Sequence, residues 1–184
     1  IQFEVSDNPT LYIPHQSNTL QIQLSEPLRG LSNGVCDKFV KQGGKWYVER
    51  NCYQINFKKH LNVRLAYGGE SNDTNIVSFT SWDYLLNDGF PKGTCSTLIN
   101  DVSNDIVCNN LPVIPKAKLE TTEGVGVDTY GFNISFSRTR LGITSDNRDT
   151  EILRQWLIDN DCSLVYKLET PTYEEITDLQ LITY

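Results

Sequence analysis

The sequence predicts an all-β fold, an antiparallel β-sandwich with jelly-roll-like character and one short helix near the C-terminus, at about 150–159. Three observations predict it. Strictly alternating apolar runs recur, as in Thr19-Leu-Gln-Ile-Gln-Leu24 and Phe132-Asn-Ile-Ser-Phe-Ser137, which is the period-2 signature of half-buried strands. Turn residues punctuate the chain at short intervals, among them Pro27, Gly30, Ser32-Asn33-Gly34, Gly43-Gly44 and Asn87-Asp88-Gly89. A single stretch carries a clear helical stripe. Many short strands, frequent turns and one helix are the pattern of a sandwich or jelly roll.

The elements follow in order. Residues 1–18 are expected as a linker or N-terminal arm, and 19–184 as a single β-sandwich module. In the first strand, Leu20, Ile22 and Leu24 share one face. Phe39-Val40 and Trp46 to Glu49 form a hairpin across Gln42-Gly43-Gly44, because glycine accepts the positive φ that a tight connection needs. Tyr53 to Phe57 extends that sheet. Leu61 to Tyr67 alternates as a strand, Gly68 to Asn75 is a polar loop, and Asn75 to Thr80 is another strand. Residues 94–112 give no clear pattern. Lys116 to Glu120 reads as a strand, Glu123 to Asp128 as a loop, and Tyr130 to Ser137 as a strand with Phe132, Ile134 and Phe136 inward. In the helix, Asp149 or Thr150 is the N-cap, Glu151 lies at the positive end of the dipole, and Ile152, Leu153, Trp156 and Leu157 form one apolar face. Asn160 or Asp161 adopts the left-handed conformation that ends it. Leu164, Tyr166 and Leu168 then alternate along a strand that is expected to stop at Thr170-Pro171, since proline offers no N–H to a ladder.

A chain of 184 residues with 39% apolar and 21% charged residues has a globular composition and should bury roughly 70% of its unfolded surface. No apolar run approaches the ~18 residues a membrane span requires, so no membrane insertion is expected. The net charge of −7 is uneven: residues 29–64 hold eight Lys/Arg against two Asp/Glu. Lys38, Lys41 and Lys45 flank a turn, where solvated lysines need no ligand, and no nucleic-acid partner is expected. Ile1 leads a chain without Met, which suggests a fragment of a longer protein, and residues 1–8 have neither the basic nor the apolar region of a signal peptide. The five cysteines, Cys36, Cys52, Cys95, Cys108 and Cys162, are odd in number and include no C-x-x-C pair, and there are only two His. A structural zinc site is therefore not expected. The cysteines read as buried thiols in a reducing compartment, with one disulfide, for example Cys95 with Cys108, left open.

Two segments carry a family resemblance. Leu20 to Leu24, followed by Glu26-Pro-Leu-Arg-Gly-Leu-Ser-Asn-Gly-Val-Cys-Asp37, resembles a segment of minor structural proteins from phages and prophages of Gram-positive bacteria. There it precedes a strand pair bearing an Arg or Glu, a place filled here by Lys45-Trp-Tyr-Val-Glu-Arg50. The closing Leu153-Arg-Gln-Trp-Leu-Ile-Asp-Asn-Asp-Cys-Ser-Leu-Val-Tyr-Lys-Leu-Glu-Thr-Pro171 is similar to the end of the same proteins, a helix with Trp-Leu and then a strand ending in Thr-Pro. The family's usual Tyr-Gln-Leu-Ala is Tyr166-Lys-Leu-Glu169 here. The two segments directly cover about a third of the chain, and 58–130 matches only in style. The resemblance implies a virion module of a tail or tail fibre, made in the bacterial host cytoplasm. It implies host-surface carbohydrate as the partner, together with other tail proteins and, as one assembly open to it, a homotrimer. An alternative is a purely structural module that oligomerises or docks. No catalytic residue belongs to the matching segments, and no cofactor is implied.

Glycan sites place an aromatic ring under the apolar face of a sugar and planar polar groups around its hydroxyls. The candidates are Trp46, Tyr47, Asn72, Asp73, Trp82, Asp83, Tyr84 and Tyr130. Alternation sends Trp46 and Tyr47 to opposite faces of their strand. The competing use of each aromatic is to fill the core, as expected for Trp156 on the helix stripe. The loop 68–75 is rich in hydroxyl and amide groups that could read a sugar or hold Ca²⁺, though a solvated loop needs no ligand. For catalysis, neither His15 nor His60 sits in a nucleophile motif, no Gly-x-Ser-x-Gly occurs, and Gly124-Val-Gly126 lacks the third glycine of a phosphate loop. An enzyme is not expected, and a glycan hydrolase with paired carboxylates is the remaining enzymatic alternative.

Overall fold

The computed structural model describes residues 18–61, 63, 65–71, 75–80, 90–93, 101–128, 131–143, 150–177 and 179–183. The fold is all-β, antiparallel and sandwich-like. Its strands are β1 (Asn18–Ile22), β2 (Lys38–Gln42), β3 (Lys45–Asn56), β4 (Ala66–Ser71), β5 (Ile76–Thr80), β6 (Ile106–Cys108), β7 (Gly124–Asp128), β8 (Gly131–Ser137), β9 (Ser163–Glu175) and β10 (Leu179–Thr183). One short helix, α1 (Thr150–Asp159), precedes β9. One sheet runs β2-β3-β9-β6, a second β4-β5-β8-β7, and a separate two-stranded sheet pairs β1 with β10.

The main core lies between the two larger sheets. Ile55, Phe57, Leu164 and Tyr166 from the first meet Val77, Phe79, Val125, Ile134 and Phe136 from the second, and Leu153 and Leu157 of α1 close one end. The helix has the expected span, and Asp161, at φ 47°, supplies the left-handed residue after it. Trp156 packs on the core from a half-buried position. The β2–β3 hairpin is also as expected, with Gly43 and Gly44 at φ 57° and 82°, although β3 continues unbroken through the stretch read as a third strand.

Five local expectations are corrected. Residues 61, 63 and 65 precede the strand, which starts at Ala66 and takes Gly68 to Ser71, read as a loop, into β4. Lys116–Lys118 is a 3-10 turn, not a strand. Residues 124–128, read as a loop, are β7. Its glycines serve close approach: a Cβ on Gly124 would stand 2.6 Å from the Pro112 carbonyl oxygen, while Val125 and Val127 are buried. In β8 both faces are buried, so Asn133 and Ser135 are interior as well. The Ser135 hydroxyl donates to the Leu119 carbonyl. Finally, β9 passes through Pro171 and pairs again with β3 beyond it. The register jumps from Cys52↔Lys167 to Arg50↔Thr172, so residues 168–171 bulge out against Asn51. A bulge is where a sheet tolerates a proline. On the other edge of β9, Gly93 bridges Leu168, and Glu169 N–H donates to the Lys92 carbonyl at 2.9 Å.

This bulge divides β3 into two halves that bury opposite faces. Val48, Arg50 and Cys52 are buried on one side, Ile55 and Phe57 on the other. The segment 25–37 crosses the first side. It folds back on itself through a Gly30–Cys36 bridge and a turn in which Val35 N–H donates to Asn33 Oδ1 at 3.1 Å. Asp37 ties it down: its carboxylate accepts from the main-chain N–H of Arg29 at 3.1 Å, Asn51 at 2.9 Å and Cys52 at 3.0 Å. The Arg50 guanidinium donates to Asp37 at 3.2 Å, Glu174 at 2.9 and 3.2 Å, and the carbonyls of Pro27 at 2.9 Å and Glu26 at 3.0 Å. All five of its N–H donors are thereby used. Burial works against its charge, and the bonds to Glu174 and Asp37 outweigh that and raise its pKa.

The Ser25 hydroxyl and then Arg50 hold the Glu174 carboxyl below its ordinary value. A carboxylate depressed in the folded state stabilises above its unfolded pKa, and that stabilisation fades as pH falls through the folded one. Acidification below about pH 4.5 is therefore expected to loosen this clamp. Urea titrations across that range should show a shallower loss of stability for Glu174→Gln than for the unaltered protein; equal slopes would remove Glu174 from the acid response.

Candidate functional site

The half of β3 nearest the hairpin, with β2 and the far end of β9, forms a three-stranded face whose outer side is open. Directly opposed residues of antiparallel strands share a face. Lys38, Glu49 and Tyr173 make one row across it, and Val40, Tyr47 and Glu175 make the next. Tyr47 and Tyr173 are thus diagonal neighbours, a relation that places residues roughly 7–8 Å apart. Tyr173 is 52% exposed and Tyr47 is half-buried. Ion pairs edge the two rings: Lys38 Nζ lies 3.4 Å from Glu49 and Lys45 Nζ lies 2.8 Å from Glu175. The Asn51 amide also reaches Glu49 at 3.3 Å. The hydrogen bond from Lys45 to Glu175 raises the lysine pKa, so its ammonium stays charged. The face thus combines two phenol rings with ammonium, carboxylate and amide groups.

The sequence-predicted residues divide clearly. Trp46 and Tyr47 do face opposite sides. Trp46 is half-buried opposite Lys41, whose ammonium stands 5.8 Å from the ring centroid, and it does not share the Tyr47 face. Asn72, Asp73, Trp82, Asp83, Tyr84 and Tyr130 lie outside the described residues. Tyr173 was not anticipated, because Pro171 reads as the end of its strand. The signal was the resumed alternation of Thr172 and Glu174 with Tyr173 and Glu175.

Other polar groups are committed elsewhere. Asp37 and Glu174 both bind Arg50. His60 Nδ1 accepts the Asn56 N–H at 3.0 Å, and its ring packs against Tyr53 and Phe90. Tyr166 donates to the Pro91 carbonyl at 2.8 Å, and its burial raises its pKa. Among the described residues no group of three or more His, Cys, Asp or Glu is placed to hold a metal ion, and no helix is long and apolar enough to cross a membrane. Cys36, Cys52, Cys108 and Cys162 are free thiols. Cys95, offered as an example partner for Cys108, lies outside the described residues; the Cys108 sulfur faces that of Cys162. Comparison with protein-family models, curated proteins and solved structures finds no match.

Proposed function

We propose that the chain is a phage virion tail module that recognises a host cell-surface carbohydrate on the Tyr47–Tyr173 face. The observation that carries this reading is the placement of an exposed and a half-buried phenol ring as diagonal neighbours on one sheet face, edged by Lys–Glu pairs and an amide. Phenol rings stack on the C–H face of a pyranose, and the charged and amide groups around them match its hydroxyls. The resemblance of segments 20–37 and 153–171 to phage minor structural proteins supplies the setting.

The test is binding to purified Gram-positive cell-wall polysaccharide and to a glycan array. Tyr47→Ala and Tyr173→Ala should each weaken binding about tenfold, equivalent to about 1.4 kcal/mol, with little change in thermal stability. Trp46→Ala, on the opposite face, should leave affinity unchanged. Full binding by the double Tyr47→Ala/Tyr173→Ala variant would rule this face out.

A second reading is a structural module that trimerises or docks on a neighbouring tail protein. It is favoured by the β1–β10 ladder, which among the described residues forms a two-stranded sheet separate from the two larger ones. An isolated two-stranded sheet is marginal in water, so a partner would stabilise it. A stable trimer by light scattering, with no carbohydrate binding, would favour this reading.

A further inference from the structure

We propose that Cys108 and Cys162 form a thiol–disulfide exchange site, at which a small aliphatic disulfide is reduced while the two cysteines close into an intrachain disulfide. Cys108 ends β6 and Cys162 joins α1 to β9, yet their sulfur atoms lie 3.5 Å apart. Cys162 is 1% exposed, whereas Cys108 is only partly buried and packs at the margin of the core.

The backbones carrying them are held together. Asn109 N–H donates to the Ser163 carbonyl at 3.3 Å, and Ser163 N–H donates to Asn109 Oδ1 at 2.8 Å. The Asn109 amide reaches the Asp161 carbonyl at 3.0 Å, and that of Asn110 the Asn160 carbonyl. Closure from 3.5 Å to a bond of about 2.05 Å therefore asks for a small approach of two sulfurs already in register.

Their environments assign different roles. The Cys162 S–H favours a thiolate on Cys108 and lowers its pKa; burial opposes this, and the main-chain N–H groups of Asn110 and Leu111 add to it. The same hydrogen bond and burial push Cys162 up. Cys52, by contrast, is pushed to about 11 by burial beneath the 25–37 segment. The thiolate is the attacking form. The Cys108 thiolate attacks one sulfur of R–S–S–R, forming Cys108–S–S–R and releasing RS⁻. Cys162 gives its proton to the RS⁻ released in the first step and attacks the Cys108 sulfur, releasing the second RS⁻, which takes a proton from water. The two protein thiols give up two electrons and two protons, and the small disulfide is reduced to two thiols.

Oxidised glutathione is the probe, used on the full chain in a Cys36→Ser background that removes an exposed competing thiol. Non-reducing peptide mapping should find a Cys108–Cys162 crosslink with loss of two hydrogens. Since the closed loop separates residues 54 positions apart, chain entropy predicts a Tm increase on the order of 10 °C, reversed by dithiothreitol. Cys162→Ser should stop at a glutathione adduct on Cys108, and Cys108→Ser should leave Cys162 unmodified. A persistent adduct on Cys108 in the unaltered pair, a crosslink of Cys108 to Cys95, or no reaction of the folded protein would each overturn the proposal.

Discussion

Arg50→Ala is expected to destabilise the protein by about 3–5 kcal/mol, the cost of breaking a buried ion pair from one side. The substitution leaves the fully buried Asp37 carboxylate without its cation and strands the carbonyls of Glu26 and Pro27. Where a buried pair is replaced as a unit by apolar groups, much of the loss can be recovered. That route is closed here. Asp37 also serves three main-chain N–H groups, and removing it leaves the buried Cys52 amide unsatisfied, at about 1–3 kcal/mol, with smaller losses at the part-buried Arg29 and Asn51 amides. Arg50→Leu/Asp37→Leu should therefore be no more stable than Arg50→Leu alone. Arg50→Lys should recover only a minor part, because an ammonium cannot reproduce a planar fork that meets two carboxylates and two carbonyls. Urea unfolding of the four variants checks this. An Arg50→Ala cost below about 1 kcal/mol, the range of a surface pair, would show that the clamp contributes little.

Phe136→Ala is expected to cost about 3–5 kcal/mol, the usual range for a large aromatic removed from a packed interior. Phe136 has no exposed surface, and its ring meets Trp156 edge-on at a centroid distance of 4.5 Å. The Arg140 guanidinium lies 4.8 Å from the Phe136 ring and 5.0 Å from the Trp156 ring, and it pairs with Glu123 at 2.9 Å. This stack joins β8, the helical turn Arg138–Leu141 and α1. The apolar contact and the cation contribute unequally. Arg140 is substantially exposed, so Arg140→Ala should cost only about 0.5–1 kcal/mol. For a chain of this length, Phe136→Ala should lower Tm by roughly 10 °C and Arg140→Ala by a few degrees. Comparable losses for the two variants would mean that the cation, not the buried ring, holds the helix on the sheet.

The parts of the fold that could be read from the sequence are those where local chemistry decides. Paired glycines make the β2–β3 turn, and the stripe of Ile152, Leu153, Trp156 and Leu157 makes α1 whatever surrounds it. The misread parts depend on distant partners. Gly124-Val-Gly126 reads as a loop until the Pro112 carbonyl is seen against Gly124, and Leu119 and the Ile114 carbonyl against Gly126. Asn133 and Ser135 read as solvent-facing, yet β8 lies between two other strands of its sheet and is covered on both faces. Pro171 reads as a stop because a bulge depends on the neighbouring strand. The candidate face was half legible for the same reason. Alternation places Tyr47 correctly, whereas Tyr173 sits beyond the bulge. Arg29, Asp37 and Arg50 stood in or beside the segment that resembles the phage proteins, but nothing local revealed that they bind one loop to one strand.

The division of β3 into halves buried on opposite sides has a consequence for how the molecule can open. The 25–37 segment and the main core share a strand but not a face. Lifting the segment uncovers Arg50 and Cys52, while Ile55 and Phe57 remain enclosed between the sheets. Such a state is sub-global rather than unfolded. It presents one newly wetted face on an otherwise intact strand, and damage to the clamp would first produce sticky, largely folded molecules instead of denatured ones.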